Sequence, residues 1–156
     1  MSRFTDSLIV SPLSDGRTWI ILRPFGFDVG KEGSGDTVEV KMGFMTDFAS
    51  IPRLFWIILP QWGKYGNAAV VHDWLYWQQT RSRKESDRIM LEAMGVLRVP
   101  GWQKYSIYLS VRSFGCLAWK RNQMDRKSGF KRVLTNYMFK STAKSRRPSL
   151  FRRILG

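Results

Sequence analysis

The chain has 156 residues, 44% of them hydrophobic and 14% aromatic, which is enough for one domain with its own core and too little for two ordinary ones. A single cysteine, Cys116, and a single histidine, His72, exclude a disulfide-framed fold and a zinc centre of the Cys/His kind. The net charge of +14 is unevenly placed: from Lys120 onward there are twelve Lys or Arg against one acid, Asp125, so a nearly neutral body carries a basic C-terminal arm. The N-terminus, Met1-Ser-Arg-Phe-Thr-Asp6, lacks the basic start and apolar stretch of a signal peptide, and no run reaches the roughly 18 to 20 apolar residues of a spanning helix, so residence in a cytoplasm is the expectation.

In chain order, Thr18–Pro24 and Thr37–Phe44 are β-branched and apolar with a glycine-rich turn region, Gly30–Asp36, between them. They predict an N-terminal antiparallel hairpin, with Val38, Val40 and Met42 on the buried face and Glu39 and Lys41 on the wet one. Met45–Pro60 reads as a loop punctuated by Pro52 and Pro60, with a short apolar segment at Leu54–Leu59. Gly66–Gln79 has no proline or internal glycine and places Ala68, Val71, Leu75 and Tyr76 at near-helical spacing. A short turn follows, and then a second helix capped by Ser82 or Ser86 and running to about Leu97, with Ile89, Met90, Ala93, Met94 and Leu97 inward. The two predict an antiparallel helical hairpin.

A third, core helix is expected from Pro100-Gly101 to about Lys120, through Ile107, Leu109, Val111, Phe114 and Leu117, with Cys116 buried and inert. From Arg126 on, Phe130, Val133, Leu134, Tyr137 and Met138 match an amphipathic helix, and beyond Ser141 the chain reads as a tail. The fold expected is α+β: a β-hairpin, a helical hairpin and a third core helix in one domain over residues 1–120, then a basic extension over 121–156.

Chemistry near neutral pH points first to His72, because imidazole is the side chain whose ordinary pKa lies in that range. His72 and Tyr76 are four apart and share a helical face, whereas Asp73 lies about 100° around and cannot partner its neighbour. Asp87, early on the returning helix, is the carboxylate placed to hold the imidazole, which leaves its other nitrogen to take a proton from water. His72, Asp87 and Tyr76 are therefore the candidate catalytic residues. Asp73 and Asp47, with Thr46 and Ser50, form a candidate oxygen-ligand set for calcium; the alternative is that Asp47 and Ser50 pin their own loop through backbone amides. Arg53, Arg81 and Arg112 are candidate neighbours of the site. The competing reading of the whole constellation is a buried polar network that fixes helix packing.

The run Ala68-Ala-Val-Val-His-Asp-Trp-Leu-Tyr76, followed by Ser86-Asp-Arg-Ile-Met-Leu-Glu-Ala-Met94, resembles the two catalytic helices of secreted phospholipases A2, especially the short prokaryotic kind. That resemblance implies water activation by His72, calcium binding by Asp73 with a loop at Asp47–Pro52, and support of His72 by Tyr76 and Asp87. Gly43-Phe-Met-Thr-Asp-Phe-Ala-Ser-Ile-Pro-Arg53, with Ala68–Tyr76 and Tyr108–Gly115, is also similar to a family common in bacteriophages and prophages, over roughly residues 15–120. It implies a phage gene product, carried in the virion or made near tail and lysis functions. Two functions are then expected: a hydrolase of lipid or cell-envelope esters or amides, or a virion structural or assembly protein. In either case Lys120–Gly156 would bind phage structural proteins, nucleic acid or anionic membrane.

Overall fold

The computed structural model describes residues 1–47 and 64–134. Six short strands precede three helices: β1 (Arg3–Phe4), β2 (Val10–Pro12), β3 (Trp19–Ile21), β4 (Phe25–Asp28), β5 (Thr37–Val40), β6 (Met45–Thr46), α1 (Gly66–Gln78), α2 (Arg83–Val96) and α3 (Gly101–Lys127). The strands form two antiparallel sheets of three, in the orders β1-β4-β5 and β2-β3-β6. The architecture is α+β with the strands at the N-terminus.

The expected hairpin exists in a different register. Its strands are β4 and β5, with Phe25 opposite Val40 and Phe27 opposite Val38, while Trp19–Ile21 pairs outward with β2 and β6. Pro24 has no N–H to give a ladder and separates the two uses of the segment. Val38 and Val40 are buried as expected, but Met42 is exposed, because β5 ends at Val40 and the chain turns through Gly43 at φ +85°. Only glycine fits there: a Cβ would stand 2.1 Å from the carbonyl oxygen of Leu134.

Helix α1 is the centre of the molecule. It packs against α2 and α3 on one side and against β5 and β6 on the other, and eleven of its thirteen residues are buried. That explains a sequence with almost no charge on any face. Between α2 and α1 the chain reverses at Gln79, which is left-handed at φ 54°.

Ser82, not Ser86, caps α2. Its hydroxyl accepts from the Glu85 amide while the Glu85 carboxylate accepts from the Ser82 amide at 3.0 Å, a reciprocal capping box. Ser86 instead donates to the Ser82 carbonyl at 3.0 Å. Ser82→Ala is expected to cost about 1 kcal/mol, measured as a shift in the urea midpoint.

Two expectations for α3 are corrected. The helix does not stop near Lys120 but runs to Lys127, and only part of it is core: Ile107 and Val111 are buried, whereas Leu109, Phe114 and Leu117 are each more than half exposed. Cys116 is exposed too, not buried, since it lies on the same outer face. Apolar composition alone does not separate an inner from an outer stripe.

After α3 the chain returns to the sheets. Val133 bridges Phe44, the Leu134 amide donates to the Gly43 carbonyl at 2.9 Å, and the Met45 amide donates to the Arg132 carbonyl at 2.7 Å. Residues 121–134 of the basic stretch thus carry part of the fold, and Phe130–Leu134 does not open an amphipathic helix. The expectations for Leu54–Leu59, Ser50, Arg53 and the tail from residue 135 lie outside the described residues. No helix among the described residues is long and apolar enough to cross a membrane.

Candidate functional site

The antiparallel return of α2 along α1 brings Asp87 to His72, as helix geometry requires of positions nearly equidistant from the turn. His72 Nε2 lies 2.9 Å from Asp87 Oδ1, and the Tyr76 hydroxyl donates to the same oxygen at 2.6 Å. The His72 and Tyr76 rings are 4.0 Å apart between centroids. All three side chains are fully buried.

The second carboxylate oxygen faces cations. Arg112 Nη1, from α3, donates to Asp87 Oδ2 at 2.6 Å, and Arg83 Nη1 lies 3.5 Å from it while donating to the Val111 and Arg112 carbonyls. Burial is the largest single influence on Asp87 and opposes its ionisation. The hydrogen bonds from His72, Tyr76 and Arg112 together outweigh it and hold the carboxyl below its ordinary range. Tyr76 is pushed the other way, first by burial and then by its bond to the Asp87 carboxylate, so it stays a neutral donor.

An ionised carboxylate only accepts, so the His72 nitrogen beside it carries a proton, and in the neutral imidazole Nδ1 is the nitrogen with the lone pair. Nδ1 is buried and has no hydrogen-bond partner among the described residues. A histidine recruited for packing alone would leave a polar atom unpaired at a cost of about 1–3 kcal/mol.

The lowered Asp87 pKa has a definite sign. The stabilisation it gives is complete above the ordinary carboxylate value of 3.8 and is lost as pH falls through the lower folded value. Tryptophan fluorescence on acid titration is expected to show an unfolding limb below about pH 4 that Asp87→Asn flattens.

The oxygen donors expected for a cation lie apart from the His72–Asp87 pair. Asp73 is buried on another face of α1 and accepts from the Thr46 hydroxyl at 2.5 Å. Asp47 follows Thr46 at the end of β6 and lines a cavity of about 380 Å³ with Thr46, Arg121, Asp125, Phe130 and Arg132, among others. These oxygens are the right donor class for a hard cation. No cluster of three or more His, Cys, Asp or Glu disposed to hold a metal occurs among the described residues. Of the three arginines, Arg112 joins the site, Arg81 pairs with Asp36, and Arg53 lies outside the described residues.

Sequence reasoning missed Arg83, though it stands four residues before Asp87 on the same helix, the spacing of an ion pair. It also missed Gly115 of α3, where a Cβ would come within 2.4 Å of the Tyr76 hydroxyl. Nothing in the local sequence marks that approach.

Residues 19–111 match the model of a family described as a protein of unknown function, DUF1353. The chain belongs to that family. The matched span includes His72, Asp73, Tyr76, Arg83 and Asp87 and ends one residue before Arg112. A stretch of 93 residues is 33% identical to the uncharacterised protein y4jT of Sinorhizobium fredii, covering 58% of this chain and 27% of that protein. The chain therefore spans about a quarter of that relative's length. No solved structure matches.

Proposed function

We infer that the protein is a hydrolase in which His72 activates water, with a carboxylic ester of a lipid or cell-envelope component as substrate. The observation that carries this reading is the buried imidazole held at Nε2 by Asp87, with Nδ1 unpaired among the described residues. In that tautomer Nδ1 takes a proton from water as the water oxygen bonds to the acyl carbon. Asp87 stabilises the imidazolium, which returns the proton to the departing alkoxide as the acyl C–O bond breaks. Asp87 is itself fixed by Tyr76, Arg112 and Arg83, so the imidazole has one orientation. Asp73 and Asp47 are the oxygen donors that would hold a calcium ion, and the ion's charge would polarise the ester carbonyl.

A second reading is a phage virion structural or assembly protein whose basic C-terminal region grips nucleic acid or a neighbouring subunit. The full burial of His72 favours it, since a packing network needs no route to solvent.

The test is hydrolysis of phospholipid vesicles and isolated cell envelopes by the purified protein, with calcium or with chelator, beside His72→Ala. Fatty-acid release that falls about 10²- to 10⁴-fold in His72→Ala supports general-base catalysis. Loss of that release in chelator assigns the calcium. A folded wild type without hydrolysis overturns the enzyme in favour of the structural role, and an equally active His72→Ala overturns the assignment of His72 as the base.

A further inference from the structure

Helix α3 presents a large apolar face that none of the described residues covers. Trp102, Tyr105, Leu109, Leu117 and Met124 recur along it at helical spacing, with Phe114 at its side, and each is more than half exposed. Together they offer on the order of 600 Å² of apolar surface, taking roughly 100 Å² from each side chain. That is at the upper end of the about 300–600 Å² typical of a monomer's largest patch.

The same helix carries six cations, Lys104, Arg112, Lys120, Arg121, Arg126 and Lys127, against one acid, Asp125. Arg112 is engaged with Asp87 and Arg126 with α1 carbonyls. Lys120, Arg121 and Lys127 are exposed, and Lys104 sits 5.2 Å from the Tyr105 ring centroid.

Lys120 decides what fits this surface. It is eighteen residues, five full turns, from Trp102 and so stands in line with the apolar stripe. A second copy packed there would bury that ammonium, and the helix's only acid lies about 140° around from it. A lipid interface accepts both features, because the apolar side chains enter the acyl boundary while lysines extend to the phosphates. The net charge of +14 selects an anionic bilayer.

We propose that the outer face of α3 docks on the surface of an anionic lipid bilayer, lying in the interface without crossing it. The inner face of the same helix supplies Gly115 to the His72 site and its edge, beside Tyr105, supplies Arg112, so docking holds that site at a lipid surface. The docking itself does not depend on hydrolysis.

Cys116, exposed on this face and the only cysteine, is a native reporter. The full chain carrying a polarity-sensitive thiol label is mixed with phosphatidylcholine vesicles, with or without phosphatidylglycerol. All lipids are ether-linked, so that binding and ester hydrolysis succeed or fail separately. The expected result is a blue shift and quenching by nitroxide lipids with the anionic vesicles alone. Leu109→Ser and Leu117→Ser should each weaken binding roughly tenfold, with helical content unchanged by circular dichroism. The proposal is overturned by vesicle binding that leaves the label unquenched, which would assign the contact to the basic tail. It is equally overturned by absence of binding, by leucine variants that bind as the wild type does, or by a solution dimer that those variants dissociate.

Discussion

Asp87→Ala is expected to destabilise the protein by about 3–5 kcal/mol, among the largest losses a single substitution can produce here. One fully buried carboxylate accepts from His72 and Tyr76 on one oxygen and from Arg112 on the other, with Arg83 alongside. Alanine leaves two buried donors and the Arg112 guanidinium without their acceptor at once. Asn restores a neutral acceptor for His72 and Tyr76 but not the charge that Arg112 requires, so Asp87→Asn is expected to lose roughly half as much. Urea unfolding of the three proteins orders them wild type, Asn, Ala. If Ala and Asn proved equal, the loss would come from the missing charge alone and the shared acceptor oxygen would count for little.

Gly115→Ala is the second large effect. In a solvent-exposed helix the change would stabilise by up to about 1 kcal/mol. Here the new methyl meets the Tyr76 hydroxyl, and the tyrosine is fully buried and bonded to Asp87, so neither group can yield without breaking the site. A net loss of about 1–3 kcal/mol is expected. Tyr76→Phe removes the obstructing oxygen, so the double variant Gly115→Ala/Tyr76→Phe should be more stable than the two single losses added together predict. Simple additivity in the unfolding midpoints would show that the glycine serves helix α3 and not the tyrosine.

How far the sequence speaks depends on the range over which each contact acts. The helices of the hairpin, the α2 cap and the convergence of His72, Tyr76 and Asp87 follow from periodicity and a short turn, all within about twenty residues. The sheet partners of Trp19–Ile21 lie on both sides of it in sequence, and alternation does not name a partner strand. The return of residues 132–134 to Gly43 spans about ninety residues, and its only sign is a glycine that turns mark as well. For α3, apolar residues on the outer face read as core because periodicity reports a stripe without saying what meets it, and Cys116 reads as buried with them. Asp73 and Asp47 stand out in the sequence only by their position beside the histidine and in the preceding loop. The geometry separates Asp73 from His72 on the helix and turns it to Thr46.

The last turn of α1 leaves its backbone carbonyls to be satisfied from outside, and α3 does this with side chains. Asn122 donates to the Tyr76 carbonyl at 3.2 Å, and Arg126 donates to those of Trp77 and Gln78 at 3.1 and 2.5 Å. Those two segments should then open and close as one cooperative unit, with amide protons that exchange at a common rate. Tyr76 belongs to that unit, so whatever restrains the C-terminal turns of α3 also narrows the excursions of the residue that steadies Asp87. By reciprocity, a ligand that orders the buried triad would slow exchange at the far end of α3.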